Sequence, residues 1–183
     1  MQETSVQKIA GLLKVLVNIT LVCNLVALPV VPPLVYWREN PFLLAGKLSL
    51  TGDLFSFWLE GVSKVWSAPY TLMLALFLLF SGCCTAVVLW QGRRVLNTIL
   101  RGEPFSMENA VSLKRAGICS FLISGAALTR TVSTAFLKGA GAALMSYTAL
   151  FIPLFAMAGL LFLLMSGLFG QATVMKEEND LTI

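Results

Sequence analysis

The sequence predicts an all-α fold: an integral membrane four-helix bundle with a short external amphipathic helix and a helical cytoplasmic loop. Three observations carry this. Of the 183 residues 57% are hydrophobic and 12% charged, with mean hydropathy +0.84, whereas soluble domains have about 25% charged and 45–50% apolar residues. The apolar residues gather in runs of about 20, the length a helix needs to cross ~30 Å of hydrocarbon. Most Lys and Arg fall between these runs. A water-soluble globular domain is excluded, and residues 1–183 read as a single membrane domain.

The first span covers about residues 11–36. It follows a polar head, Met1 to Lys8, and no small-residue cleavage site follows a short apolar core, so it reads as a retained signal anchor. Pro29, Pro32 and Pro33 each remove a backbone donor, which predicts a kink near Pro29 and a stop by Pro33. In the connection that follows, Leu54, Phe55, Trp58, Val62, Val65 and Trp66 share one helical side, with Ser56, Glu60, Ser63 and Lys64 elsewhere. That pattern is an amphipathic helix on the outer leaflet. It is expected to cover and anchor the bundle, with a ligand-binding lid as the alternative.

The second span, 68–90, carries no charge. The third, 116–136, is rich in Ser120, Ser124, Gly125, Ala126, Ala127, Thr129 and Ser133; such small residues let helices approach closely in lipid, which places this span inside the bundle. The fourth, 144–169, holds Pro153, where a kink is expected. Trp37, Trp66 and Trp90 mark span ends, where indole rings prefer the water–lipid interface.

Orientation follows from the connections. Residues 91–115 hold Arg93, Arg94, Arg101, Lys114 and Arg115, against Lys138 and Arg130 near the next connection. The positive-inside rule puts 91–115 in the cytoplasm, and an even span count puts both termini there with it.

With no histidine in the chain, Ser-His-Asp and Cys-His triads and most haem, zinc and copper sites are excluded. Cys23, Cys83, Cys84 and Cys119 lie inside apolar runs with no Cys-x-x-Cys spacing and read as packing residues. No Asp or Glu lies within a span, which removes the usual machinery of proton-coupled carriers. No enzymatic activity, cofactor or metal is expected. Nor is direct contact with nucleic acid, because few of the charges, net +4, are spare for such a surface. The lipid bilayer is a partner, and homo-oligomerisation is left open.

Polar residues within spans are functional candidates because their burial in hydrocarbon is costly. Arg130 lies two thirds along the third span, where its stem can snorkel to the outer interface; a buried role in substrate or ion contact is the alternative. Asn18 and Asn24 lie deeper in the first span, six positions apart and so on different sides, and interhelical hydrogen bonds are expected of them.

The cytoplasmic face is more specific. Gln91 to Arg101 forms a basic helix, Gly102-Glu103-Pro104-Phe105 a break, and Ser106 caps a new helix leading into the third span. The Gly-x-Pro-Phe break, the following Asn109 and Leu113 to Arg115, and the terminal Glu178, Asp180, Leu181, Thr182 and Ile183 resemble a bacterial family of small four-helix membrane proteins of unknown function, the YoaS-like group. The resemblance runs from about the second span to the end, and its terminal motif is the most specific part. It implies a bacterial inner membrane, no established enzymatic role, and a tandem arrangement with a small helix-turn-helix regulator of the Cro and repressor type. The leading expectation is therefore a non-enzymatic regulatory binding module. Its loop and tail, through Arg93, Arg94, Arg101, Pro104, Phe105, Asn109, Arg115 and residues 178 and 180–183, would engage a small cytoplasmic DNA-binding regulator, with the tail docking back on the loop. The alternative is an accessory transport or immunity-type membrane protein using Arg130 and the external helix.

Overall fold

The computed structural model describes residues 5–38, 54–66, 69–144 and 146–180. They form six helices: α1 Ser5–Arg38, α2 Leu54–Val65, α3 Pro69–Leu100, α4 Met107–Lys138, α5 Ala140–Leu144 and α6 Tyr147–Asp180; among the described residues there is no strand. Four of them, α1, α3, α4 and α6, are long and apolar enough to cross a membrane.

Each of the four has 32 to 34 residues. At 1.5 Å per residue that is about 50 Å of helix for ~30 Å of hydrocarbon, so each runs on well past its apolar core. The helical loop expected at 91–115 is accordingly the end of α3 and the start of α4, joined by a turn at residues 101–106. Residues 170–180 are likewise a continuation of α6.

The expectation that the first helix stops by Pro33 is not met: α1 is helical through Pro29, Pro32 and Pro33 to Arg38. In a helix the carbonyl of residue 29 receives the N–H of residue 33, which proline lacks. Trp58 of α2 supplies the missing donor, its indole N–H reaching the Pro29 carbonyl oxygen at 2.7 Å. α6 also continues through Pro153. Non-polar surroundings favour this, because a helix broken in hydrocarbon leaves several groups unsatisfied where a proline leaves one.

The spans pack mainly on their neighbours in the chain: α1 on α3, α3 on α4, α4 on α6, with α2 on α1 and α5 on α4. At the end of the bundle opposite the 101–106 turn, buried Val35, Val65 and Ala75 tie α1, α2 and α3 together. α2 is held further by a Lys64–Glu60 ion pair at 2.7 Å and by the Lys64 ammonium 5.4 Å from the Tyr36 ring centroid. The hydrogen bond to Glu60 raises the Lys64 pKa above the ordinary lysine value. Phe55 and Trp66 remain exposed, as an amphipathic helix at an interface requires.

The α4–α6 interface is the tightest, and small residues make it so. A side chain added at Gly117 would meet the Gly159 carbonyl oxygen at 3.1 Å, and one at Gly159 would meet Phe121 at 2.9 Å. On either side of this crossing Ser166 donates to the Ala110 carbonyl at 2.7 Å and Ser124 to the Ile152 carbonyl at 2.9 Å. The three contacts share one antiparallel register. Ser120, Ile123 and Ala127 are buried, placing the third span inside the bundle as its composition predicts.

Candidate functional site

The turn between α3 and α4 is built around Asn109, which is 0% exposed. α3 ends with Gly102 at φ +84, a left-handed conformation that glycine adopts without steric penalty. This lets the N–H of Gly102 reach the Ile99 carbonyl at 3.1 Å and that of Glu103 reach the Thr98 carbonyl at 3.0 Å. Ser106 caps α4 and accepts from the Asn109 N–H at 3.4 Å. The Asn109 side-chain N–H donates to the Pro104 carbonyl at 2.7 Å, and its oxygen accepts from the Thr98 hydroxyl at 2.7 Å. Gly102, Pro104 and Asn109 therefore shape the turn and clamp it to α3. Phe105 is half-exposed, its ring centroid 5.7 Å from that of Phe169 on α6.

The cations cluster near the turn. Arg94 pairs with Glu108 at 2.7 Å, both half-exposed, a geometry worth ~0–1 kcal/mol. The Arg93 guanidinium lies 5.5 Å from the Trp90 ring centroid. Arg101, Lys114 and Arg115 are exposed. Residues 170–180 stay helical, so this stretch meets the turn as a straight continuation of α6, with Thr173, Lys176 and Glu177 facing Glu103, Phe105 and Ser106 across a hollow. Leu181, Thr182 and Ile183 lie outside the described residues.

Counting from the Thr98–Asn109 contact, Arg93 and Lys114 are each five residues into their helices and so at one depth. With Arg94 and Arg115 they form a belt of four cations. Met107 is seven residues beyond Lys114, about 10 Å further out along the helix. There the turn residues 103–106, the start of α4 and the end of α6 form a platform with two hollows. One of about 480 Å³ is lined by Met107, Gly167, Gly170, Val174, Met175 and Glu178 among others. The other, about 280 Å³, is lined by Glu103, Phe105, Met107, Thr173, Lys176 and Glu177 together with Ser106.

Toward the other membrane face, Arg130 is 9% exposed. It donates to the Thr148 hydroxyl, and its guanidinium lies 5.4 Å from the Phe77 ring centroid. The expected snorkelling gives way to burial because α6 begins at Tyr147, which brings Thr148 opposite the guanidinium. Asn18 and Asn24 are both half-buried on α1, in a series with Val17, Leu21 and Leu28 that recurs every three or four residues, so both face inward. The side-chain oxygen of each is buried without a hydrogen-bond partner, as is that of Gln91; the expected interhelical bonds to these oxygens are not formed. Since α1 packs on α3 and α2, the fold does not bring the two asparagines to Arg130.

Sequence reasoning missed Thr98, Glu108, Phe77 and Thr148, whose roles depend on partners 11 to 53 positions away. The Gly102-Glu103-Pro104-Phe105 break and the Ser106 cap were the local signals for the turn.

A family model described as a protein of unknown function, DUF2975, matches residues 59–183. No curated protein and no solved structure matches the chain.

Proposed function

Because the chain belongs to the DUF2975 family, whose model covers it from the middle of α2 onward, we propose a function from geometry: a non-enzymatic, multi-pass membrane module that docks a small soluble partner on its cytoplasmic platform. The partner in this reading is a DNA-binding regulator, as resemblance to the YoaS-like group implies. The membrane is the bacterial inner membrane, with both termini cytoplasmic. One observation carries the reading: α6 continues as helix beyond the cation belt and there, with Met107 at the start of α4, lines an open apolar hollow instead of ending in a loop. Such an extension is unnecessary for anchoring alone.

A photoreactive residue in place of exposed Met175 should trap a soluble protein in living cells, identified by mass spectrometry as a DNA-binding protein. The same residue at exposed Leu154, level with Leu122 in the apolar middle of the bundle, should trap lipid only. No protein adduct at Met175 would refute the reading.

A second reading, an accessory transport or immunity-type subunit, draws on buried Arg130. Substitutions at Phe105, Met107 and Val174 should impair function under the first reading, and substitutions at Arg130 and Trp58 under the second.

A further inference from the structure

Two adjacent hollows at the cytoplasmic end of α6 restrict the chemistry of what can dock there. Their shared wall is Met107, 53% exposed, and the larger one adds Met175, 67% exposed, and half-exposed Val174. Unbranched methionine adapts to varied apolar shapes. The floor is glycine. Gly170 has a packing reason, since a Cβ there would lie 4.0 Å from that of Ala110. Gly167 has none: an added Cβ meets nothing within 4 Å, so a poor helix former stands mid-helix beside a hollow that it keeps open.

The rim has a sign. Glu103, Glu177 and Glu178 border the two hollows, with Lys176 the one cation among the lining residues. The belt of Arg93, Arg94, Lys114 and Arg115 sits about 10 Å nearer the membrane. An apolar, glycine-floored groove with an acidic outer rim complements one class of ligand. We propose that it takes an amphipathic helix of a soluble protein. Apolar residues spaced i, i+3, i+4 and i+7 would lie over Gly167 and Gly170, and flanking Lys or Arg would meet Glu103, Glu177 and Glu178. This rests on reading the cytoplasmic end as a docking platform, and names the chemistry of its partner.

The test uses the full chain, one copy per nanodisc of zwitterionic lipid, and two labelled helical peptides of about 18 residues with the same leucine stripe. One has Lys and Arg on its polar flank, the other Glu. The basic peptide should bind, and the acidic one about tenfold more weakly at low salt, the gap narrowing as salt is added. Gly167→Leu, which fills the hollow without a clash, should weaken the basic peptide about tenfold or more while leaving thermal unfolding unchanged. Glu177→Lys should narrow the preference between the peptides. Equal binding of the two, no binding of either, indifference to Gly167→Leu, or a groove occupied by lipid or by a second copy in two-copy discs would each overturn the proposal. If one of these results came while photocrosslinking from position 175 still trapped a soluble protein, helix recognition would fall and the platform reading would stand.

Discussion

The indole N–H of Trp58 donates to the carbonyl oxygen of Pro29 at 2.7 Å, replacing the backbone donor that Pro33 cannot offer. Trp58→Phe keeps the aromatic body and removes the donor, and should lower stability in detergent by about 1 kcal/mol. Pro33→Ala restores the backbone N–H, so in that background Trp58→Phe should cost little. A double-mutant cycle measured by thermal unfolding reads the coupling, and full additivity would show that the indole bond does not compensate for the proline.

Asn109 should be the most sensitive polar residue of the cytoplasmic turn. Asn109→Ala leaves the Pro104 carbonyl and the Thr98 hydroxyl without their partner, at a cost of about 1–3 kcal/mol. Loosening should appear as faster tryptic cleavage after Arg101, with cleavage elsewhere unchanged. Thr98→Val, which removes one of the two contacts, should do less.

Steric contrast among the glycines gives a third outcome. Gly159→Leu should drive α4 and α6 apart at Phe121, costing about 1–3 kcal/mol, whereas Gly125→Ala, where an added Cβ meets nothing within 4 Å, should be neutral or stabilising. Equal effects at the two positions, read by thermal unfolding, would contradict the interface.

Arg130 and Phe77 should be energetically coupled. Phe77→Leu should lower stability by about 0.5–2 kcal/mol beyond its packing loss when Arg130 is present, and less in an Arg130→Met background. Arg130→Met by itself should not destabilise strongly, because an apolar side chain of similar volume needs no desolvation. A large loss on that substitution would show that the charge itself is structural.

Reporter fusions address orientation. A fusion at Gly102 should report from the cytoplasm and one at Gly139 from the opposite side, since Arg93, Arg94, Lys114 and Arg115 flank the first connection.

The four spans, the amphipathic helix at 54–65 and the Ser106 cap were legible because each is written locally, as a run, a moment or a spacing. The prolines of α1 misled because the donor that rescues Pro29 lies 29 positions away. Arg130 was ambiguous for the same reason: whether a long cationic stem turns inward depends on Phe77 and Thr148, and neither adjoins it in sequence. The tail was expected to dock on the loop as a segment of its own, whereas the apolar run of α6 carries the helix forward into it through Asp180. Glu108 shows what was missing at the candidate site. It stands beside the cap as an ordinary first-turn acid, and only the antiparallel hairpin brings it to Arg94.

Packing of each span on its chain neighbour has a consequence for biogenesis. As the ribosome delivers the chain, α1 can receive α3, α3 can receive α4, and α4 can receive α6, each newcomer meeting a partner that has just left the translocon. No span needs to wait in the bilayer for a distant mate. Buried Arg130 is the exception in timing: it leaves the translocon ahead of Thr148, 18 positions later in the chain, so until α6 docks on α4 its guanidinium has the Phe77 ring beside it but not the hydroxyl.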